Sequence, residues 1–342
     1  GGVTWTSSPS GVVAADGKVT RPAASTAVTL TATATVRGKT ATRTFDVTVL
    51  PAPSAAAQAA KAAAALVLPS VLEKGYVLPT TAQGLPVAWS HVSGAGSVAN
   101  GSIATAPATG LAAATLKAVV GSGADAATTE IAVRIAETGA SRLATYTTSK
   151  NTRGGDDPEV TRSAHLALSG DGTAYTPLNS GAGVVFPRVT GMTEQTNGTT
   201  RYLGSPYVFR LEGDQGYGLI ARRTNAAGAA DTDGALVFTS PDLVTWSERS
   251  YLPLPGQGQT GAVSAEWDAR ASAYRVVWTS PAGSALTGTT TAFESVTAQG
   301  AGQQPSGRSA SIGVAYAENA TAIPVTAAEA EAASDRLGRV RN

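Results

Sequence analysis

The sequence predicts an all-β protein, with sandwich domains first, four-stranded blades next and a short C-terminal helix last. Three observations carry this. Apolar and polar residues alternate with period two in stretches such as Thr29-Leu30-Thr31-Ala32-Thr33 and Phe45-Asp46-Val47-Thr48-Val49, the pattern of a half-buried strand. A long stretch over 3–50 recurs over 87–135. A different, shorter repeat appears after residue 140.

In the first repeat, Trp5 matches Trp89, and Asp16-Gly17-Lys18-Val19 matches Asn100-Gly101-Ser102-Ile103. Each copy then shows a turn containing proline and two alternating strands around Gly38 or Gly121. Thr and Val are β-branched and suit the pleat. Trp5 and Trp89 read as core tryptophans of a sandwich rather than as sugar-stacking platforms. Between the copies lies SAAAQAAKAAAALVL (54–68), rich in helix formers, with Ser54 as N-cap and Pro69 as a stop. The order of elements resembles bacterial immunoglobulin-like domains, most nearly the atrophied kind found in extracellular actinobacterial enzymes. The resemblance implies a partial domain at 1–53, lacking its opening strands, and a whole one at 54–138.

From 139 to 325 the pattern changes. AHLALSGDGTAYTPL (164–178) matches ALVFTSPDLVTWSER (235–249). Each is an apolar strand, then Ser, then a turn centred on Asp171 or Asp242, then an aromatic, Tyr175 or Trp246. GTTTAFESV (288–296) is a weaker third copy, with Phe293 in the aromatic place. The turn Asp accepts backbone N–H bonds in this reading, and each unit reads as a β-propeller blade. The tail, 326–342, opens with Thr326 and Glu329 as a capping box, followed by helix formers and Gly338 as C-cap.

The S-x-D-L-x-x-W turn, the S-P-Y-V-F-R strand and the E-W-D-A-x-x-x-x-Y-R-V-x-W strand together resemble glycoside hydrolase family 43. That resemblance implies a five-bladed propeller acting on glycans that contain arabinose or xylose. It also implies an inverting mechanism with a carboxylate base and a carboxylic acid flanking the scissile bond, about 6.5–9.5 Å apart. Ser205 stands where the family's inner strand places Asp, and a serine hydroxyl cannot replace a carboxylate base. The remaining catalytic candidates are Glu266, on an inner strand, and Asp157, in the Gly-rich stretch NTRGGDDPEV that reads as an exposed loop. Their bland alternatives are a structural acid at a strand start and a solvated loop charge. Substrate-binding candidates are His165, Tyr207, Arg222 and Trp267, with core histidine and acid-paired arginine as the competing readings. Asp231-Thr232-Asp233-Gly234 resembles part of a calcium loop but lacks the glutamate at the required spacing, and it reads as a surface loop.

Composition narrows the function. The 342 residues suit two or three domains, and no cysteine is present. Disulfides, thiolate metal sites and cysteine nucleophiles are therefore excluded. Two histidines cannot build a His-rich metal site, and no metal or cofactor is expected. With 25 basic and 24 acidic residues and no basic run, nucleic acid is not an expected partner. No apolar stretch approaches the ~20 residues that span a bilayer. Six Lys against 19 Arg, with much Ala and Gly, suggests a GC-rich bacterial source. The start, GGVTWTSSPSG, reads as the middle of a β-domain, so the expectation is part of a longer, secreted polypeptide.

The favoured expectation is an accessory, non-catalytic region of a secreted carbohydrate-active enzyme. It would bind or position arabinofuranose-containing polysaccharide, beside a catalytic domain elsewhere in the polypeptide. An active arabinofuranosidase-type hydrolase and a purely structural spacer are the alternatives. About 180 residues are few for five blades, which favours the non-catalytic reading.

Overall fold

The computed structural model describes residues 2–151, 154–187, 202–256, 261–305 and 309–338. It is mostly β-strand, the class the alternation predicts, and it divides into two compact units, Gly1–Gln58 and Ala59–Asn342. From Ala59 on, the stretches expected as domains at 54–138 and 139–325 lie in the second unit.

The first unit holds β1 (Val3–Ser8), β2 (Thr26–Val36) and β3 (Lys39–Val49), in the sheet order β1-β2-β3. Between β1 and β2 a small hairpin closes at Asp16-Gly17, bridged Val13 to Val19. The Asp16 carboxylate accepts from Lys18 N at 3.0 Å, an Asx-type turn that Gly17 completes at φ +86°. Trp5 sits opposite Ala32 and Leu30 opposite Phe45.

Helix α1 (Ala55–Ala65) runs across the boundary of the two units, with Ser54 Oγ accepting from Ala57 N at its start. The second unit continues with β4 (Val71–Leu72), β5 (Thr81–Ala82), β6 (Leu85–Gly94), β7 (Ser97–Ala99), β8 (Ser102–Thr105), β9 (Leu111–Val120) and β10 (Ala127–Ala136). Five of these strands form one sheet, β4-β10-β9-β6-β5, and β7 pairs with β8. The repeat seen in the sequence is a repeat of register. Trp89 sits opposite Ala118 and Leu116 opposite Ile131, as Trp5 and Leu30 do with Ala32 and Phe45. Here α1 and the segment after it cover the sheet, burying Ala62, Leu66, Leu68, Leu72 and Leu78 against Leu116, Val133 and Ile135.

Three four-stranded antiparallel sheets follow. The first takes β11 (Ser141–Thr148), then after the short helix α2 (Pro158–Thr161) β12 (His165–Ser169) and β13 (Thr176–Pro177). The second is β14 (Tyr202–Arg210), β15 (Tyr217–Thr224), β16 (Ala230–Ser240) and β17 (Ser247–Pro253), in chain order. The third is β18 (Val263–Asp268), β19 (Ala273–Thr279), β20 (Ala285–Thr290) and β21 (Thr297–Ala301), also in chain order. Strand β22 (Ala317–Val325) returns to the edge of the first sheet beside β11, and helix α3 (Ala327–Leu337) ends the fold.

The middle sheet is buried on both faces, which explains its near-continuous apolar runs. Leu203, Val208, Leu219, Leu236 and Phe238 pack toward the first sheet and α3. Tyr207, Phe209, Ile220, Val237 and Leu252 pack toward the third. No sheet among the described residues closes on itself.

The Ser-Asp turns form as expected, with one correction of register. Asp171 Oδ1 accepts from Thr173 N and Ala174 N, and Asp242 Oδ1 from Val244 N and Thr245 N. Three residues after the Ser or Thr, each copy has a left-handed residue: Gly172 at φ +77°, Leu243 at +65° and Phe293 at +60°. Gly172 N and Phe293 N both donate to the hydroxyl of that Ser or Thr, at 2.9 and 3.0 Å. Phe293 is thus the counterpart of Leu243, and Val296 holds the place of Tyr175 and Trp246. Leu243 and Phe293 take a conformation that costs roughly 1–2 kcal/mol for a residue with a Cβ. Their complete burial offsets it.

Two local expectations change. The acidic stretch at 156–159 is not all loop: Pro158–Thr161 make a helical turn, capped by Asp157. Residues 231–233, expected in a surface loop, lie on β16. The capping box at Thr326 and Glu329 forms as the spacing predicts.

Candidate functional site

The residues singled out by sequence fall into two groups. The first gathers where the third sheet meets the segment after α1. Glu266 lies on β18 and is 1% exposed. Its Oε2 accepts from Ser70 N at 2.9 Å and its Oε1 from the Tyr207 hydroxyl at 2.7 Å. Trp267, next on the strand, turns the other way and packs edge-on against Tyr274. Two residues beyond Glu266, Asp268 receives Arg270 on both oxygens and Arg275 on Oδ2, with donor distances of 2.8–3.2 Å. Burial alone would raise the Asp268 carboxyl; the two guanidiniums overcome it and hold it below its ordinary value. Arg270 also donates to the carbonyls of Ala63 and Leu66 and to Thr129 Oγ1. These acids and arginines clamp the third sheet to the five-stranded sheet domain.

The second group lies around α2. Asp157 is exposed and caps the helix, its Oδ1 accepting from Glu159 N at 3.0 Å. His165 is 1% exposed, with Nδ1 3.1 Å from Gly181 O and Nε2 3.0 Å from Val160 O. Its ring stacks on Tyr146 at 5.3 Å. Burial pushes its pKa down, and the two carbonyls pull the other way. Arg222 donates to Gly228 O at 3.2 Å, and burial together with nearby Arg162 lowers its pKa. Arg162 in turn pairs with Glu318 at 3.3 Å. Ser205 occupies a bulge in β14 at φ +49°.

Glu266 and Asp157 therefore differ in every respect that an acid and base pair must share. One is buried with both oxygens bonded, the other exposed and capping a helix. The geometry gives no support to the expected pairing, because inverting hydrolysis needs both carboxyls to face one water-filled gap. His165 and Tyr207 are held in the interior rather than presented to a ligand. Among the described residues, no cluster of three or more His, Asp or Glu could hold a metal ion.

A cleft elsewhere in the second unit has the features of a binding site. It measures about 530 Å³, within the common range for ligand pockets. Leu111 and Arg134 line it from β9 and β10, Arg210 and Tyr217 from β14 and β15, and Thr326 and Glu329 from the start of α3. Arg210 grips Glu329 bidentately, Nη1 to Oε1 at 2.7 Å and Nη2 to Oε2 at 2.8 Å. Its guanidinium lies 4.9 Å from the Tyr217 ring centroid, and Nη1 also donates to the Tyr217 hydroxyl at 3.3 Å. Burial alone would raise Glu329; Arg210, Tyr217 and the Thr326 amide overcome it and bring it to about 2. Asp242 also lines the cleft; burial would raise it, and the Thr245 and Val244 amides and Arg336 overcome this and bring it to about 2. The result is a fixed wall of paired charges beside apolar Leu111, Pro241 and Leu243.

Polar side chains locked by their own partners thus lie beside apolar ones, the mix common in ligand pockets. Among its described lining residues, both carboxylates, Asp242 and Glu329, are bonded to an arginine. Sequence reasoning identified Glu329 only as a helix cap. Arg210 closing a buried apolar strand was the one available signal, because a buried arginine needs a carboxylate.

One family model matches, within the first unit. Residues 2–52 match the family model described as an atrophied bacterial Ig domain. That stretch holds β1, β2, β3 and the Asp16-Gly17 hairpin, so the N-terminal part is immunoglobulin-like. No curated protein matches the chain. Among the described residues, no helix is long and apolar enough to cross a membrane.

Proposed function

We propose that this chain is an accessory, non-catalytic region of a secreted carbohydrate-active enzyme, binding or positioning arabinofuranose-containing polysaccharide. One observation carries the non-catalytic half: Glu266, the first catalytic candidate, has one oxygen bonded to Ser70 N and the other to the Tyr207 hydroxyl. The three consecutive four-stranded sheets with their Ser-Asp turns support the reading of propeller blades similar to glycoside hydrolase family 43. The immunoglobulin-like start supports an extracellular setting beside a catalytic domain of a longer polypeptide.

In this reading the cleft at Arg134, Tyr217 and Glu329 receives the glycan. Native affinity electrophoresis through gels containing arabinoxylan or arabinan tests it. The chain is expected to be retarded. Arg134→Ala is expected to weaken binding by about tenfold, the loss of roughly one good polar contact. Mobility unchanged by either polysaccharide would leave the spacer role as the better account.

A further inference from the structure

The two copies of the N-terminal repeat differ in what covers them. Cross-strand pairing aligns them residue for residue. Leu30 faces Phe45 as Leu116 faces Ile131, and Val28 faces Val47 as Ala114 faces Val133. In the second copy Leu116, Ile131 and Val133 are at most 6% exposed. In the first copy Phe45 and Val47 are 39% and 38% exposed, and so is Trp5 at 39%. The side chains are of the same kind in the same places, but in the first copy only Val28, at 1% exposed, is covered, and Phe45, Val47 and Trp5 are not.

The second copy also shows the cover. Leu66, Leu68, Leu72 and Leu78, with the buried alanines of α1, lie on that face. Strand β4 pairs in parallel with the outer edge of β10, Val71 beside Arg134 and Leu72 beside Ile135. Trp89 Nε1 donates to Pro79 O at 2.8 Å, so the covering segment also supplies the tryptophan's acceptor. In the first unit, β3 is the edge of its sheet. An apolar groove of about 430 Å³ lies on the sheet's face, lined by Trp5, Val13, Val19, Leu30, Val47 and Val49. Such an edge and groove together form a ready template for strand addition.

We propose that this face of the first unit binds a partner segment with the chemistry of residues 59–82: an alanine-rich helix followed by a short apolar strand. The strand pairs in parallel with β3 opposite Thr48 and Val49, the positions that match Arg134 and Ile135. The helix and its leucines lie over Phe45, Val47 and Leu30. Trp5 Nε1 donates to a backbone carbonyl of the incoming segment.

The test is hydrogen exchange on the full chain, with a synthetic peptide of residues 54–82 added in excess. A second arm uses the full chain with residues 54–84 duplicated ahead of Val3. Amides of β3 are expected to exchange about tenfold more slowly or better in both arms. Phe45→Lys should abolish the effect, while β9 and β10 stay unchanged. No slowing of β3 in the duplicated chain overturns the proposal. Slowing that appears without peptide, on raising the concentration of the chain, overturns it in favour of a second copy as the occupant.

Discussion

Asp268→Asn is expected to cost about 3–5 kcal/mol of stability, the usual penalty for breaking a buried ion pair by removing one partner. The Asp268 side chain is 3% exposed and Arg275 only 7%. The amide keeps one acceptor oxygen but turns the other into a donor facing two guanidiniums, so Arg270 and Arg275 lose their shared carboxylate, and Arg275 keeps Gln299 Oε1 at 2.7 Å. Arg270 also holds the Ala63 and Leu66 carbonyls, so the attachment of the third sheet to the five-stranded domain should weaken with it. Denaturant unfolding, with exchange of the β18 and β19 amides as a local probe, measures this. A loss under about 1 kcal/mol would place Asp268 among surface pairs and contradict the clamp.

The second large effect concerns α3. Arg210→Ala is expected to cost about 2 kcal/mol, because it removes the bidentate partner of Glu329, a half-buried carboxylate that keeps the Thr326 amide at its helix start. The same pair sets a pH dependence. Glu329 falls from an ordinary 4.5 to about 2 in the folded chain. A depressed carboxyl contributes stability that is fully present above its unfolded value and is lost as pH falls through its folded one. Asp242, which binds Arg336 of the same helix, moves in the same direction. Helix α3 should therefore be fully protected above about pH 5 and lose protection progressively toward pH 2. In Arg210→Ala much of that acid dependence should vanish. Exchange of the α3 amides across the pH series reads it, and protection unchanged at pH 2 would contradict the assignment.

What the sequence showed and hid follows from range. The alternating strands, the register repeat, the Ser-Asp turns and the capping box at Thr326 are local patterns, set by neighbours a few residues apart. The roles of the acids are not local. Glu266 meets Ser70 across 196 positions, and Arg210 meets Glu329 across 119. Nothing near Glu266 distinguishes an acid facing a sugar from one facing an amide. Aromatic character alone puts Phe293 three residues too late in the turn, and φ +60° is what ties it to Leu243 and Gly172. Asp157 next to Pro158 reads as a loop signal, yet the same pair is a good helix start, with an acidic N-cap and proline in the first turn.

Release of arabinose from arabinan or arabinoxylan by the purified chain, measured beside its Glu266→Gln and Asp157→Asn variants, tests the central claim most directly. The account predicts no release by any of the three, with Glu266→Gln less stable than the parent because the Tyr207 and Ser70 donors lose a charged acceptor. Release by the parent chain that disappears in folded Glu266→Gln would contradict it and make Glu266 a catalytic acid or base.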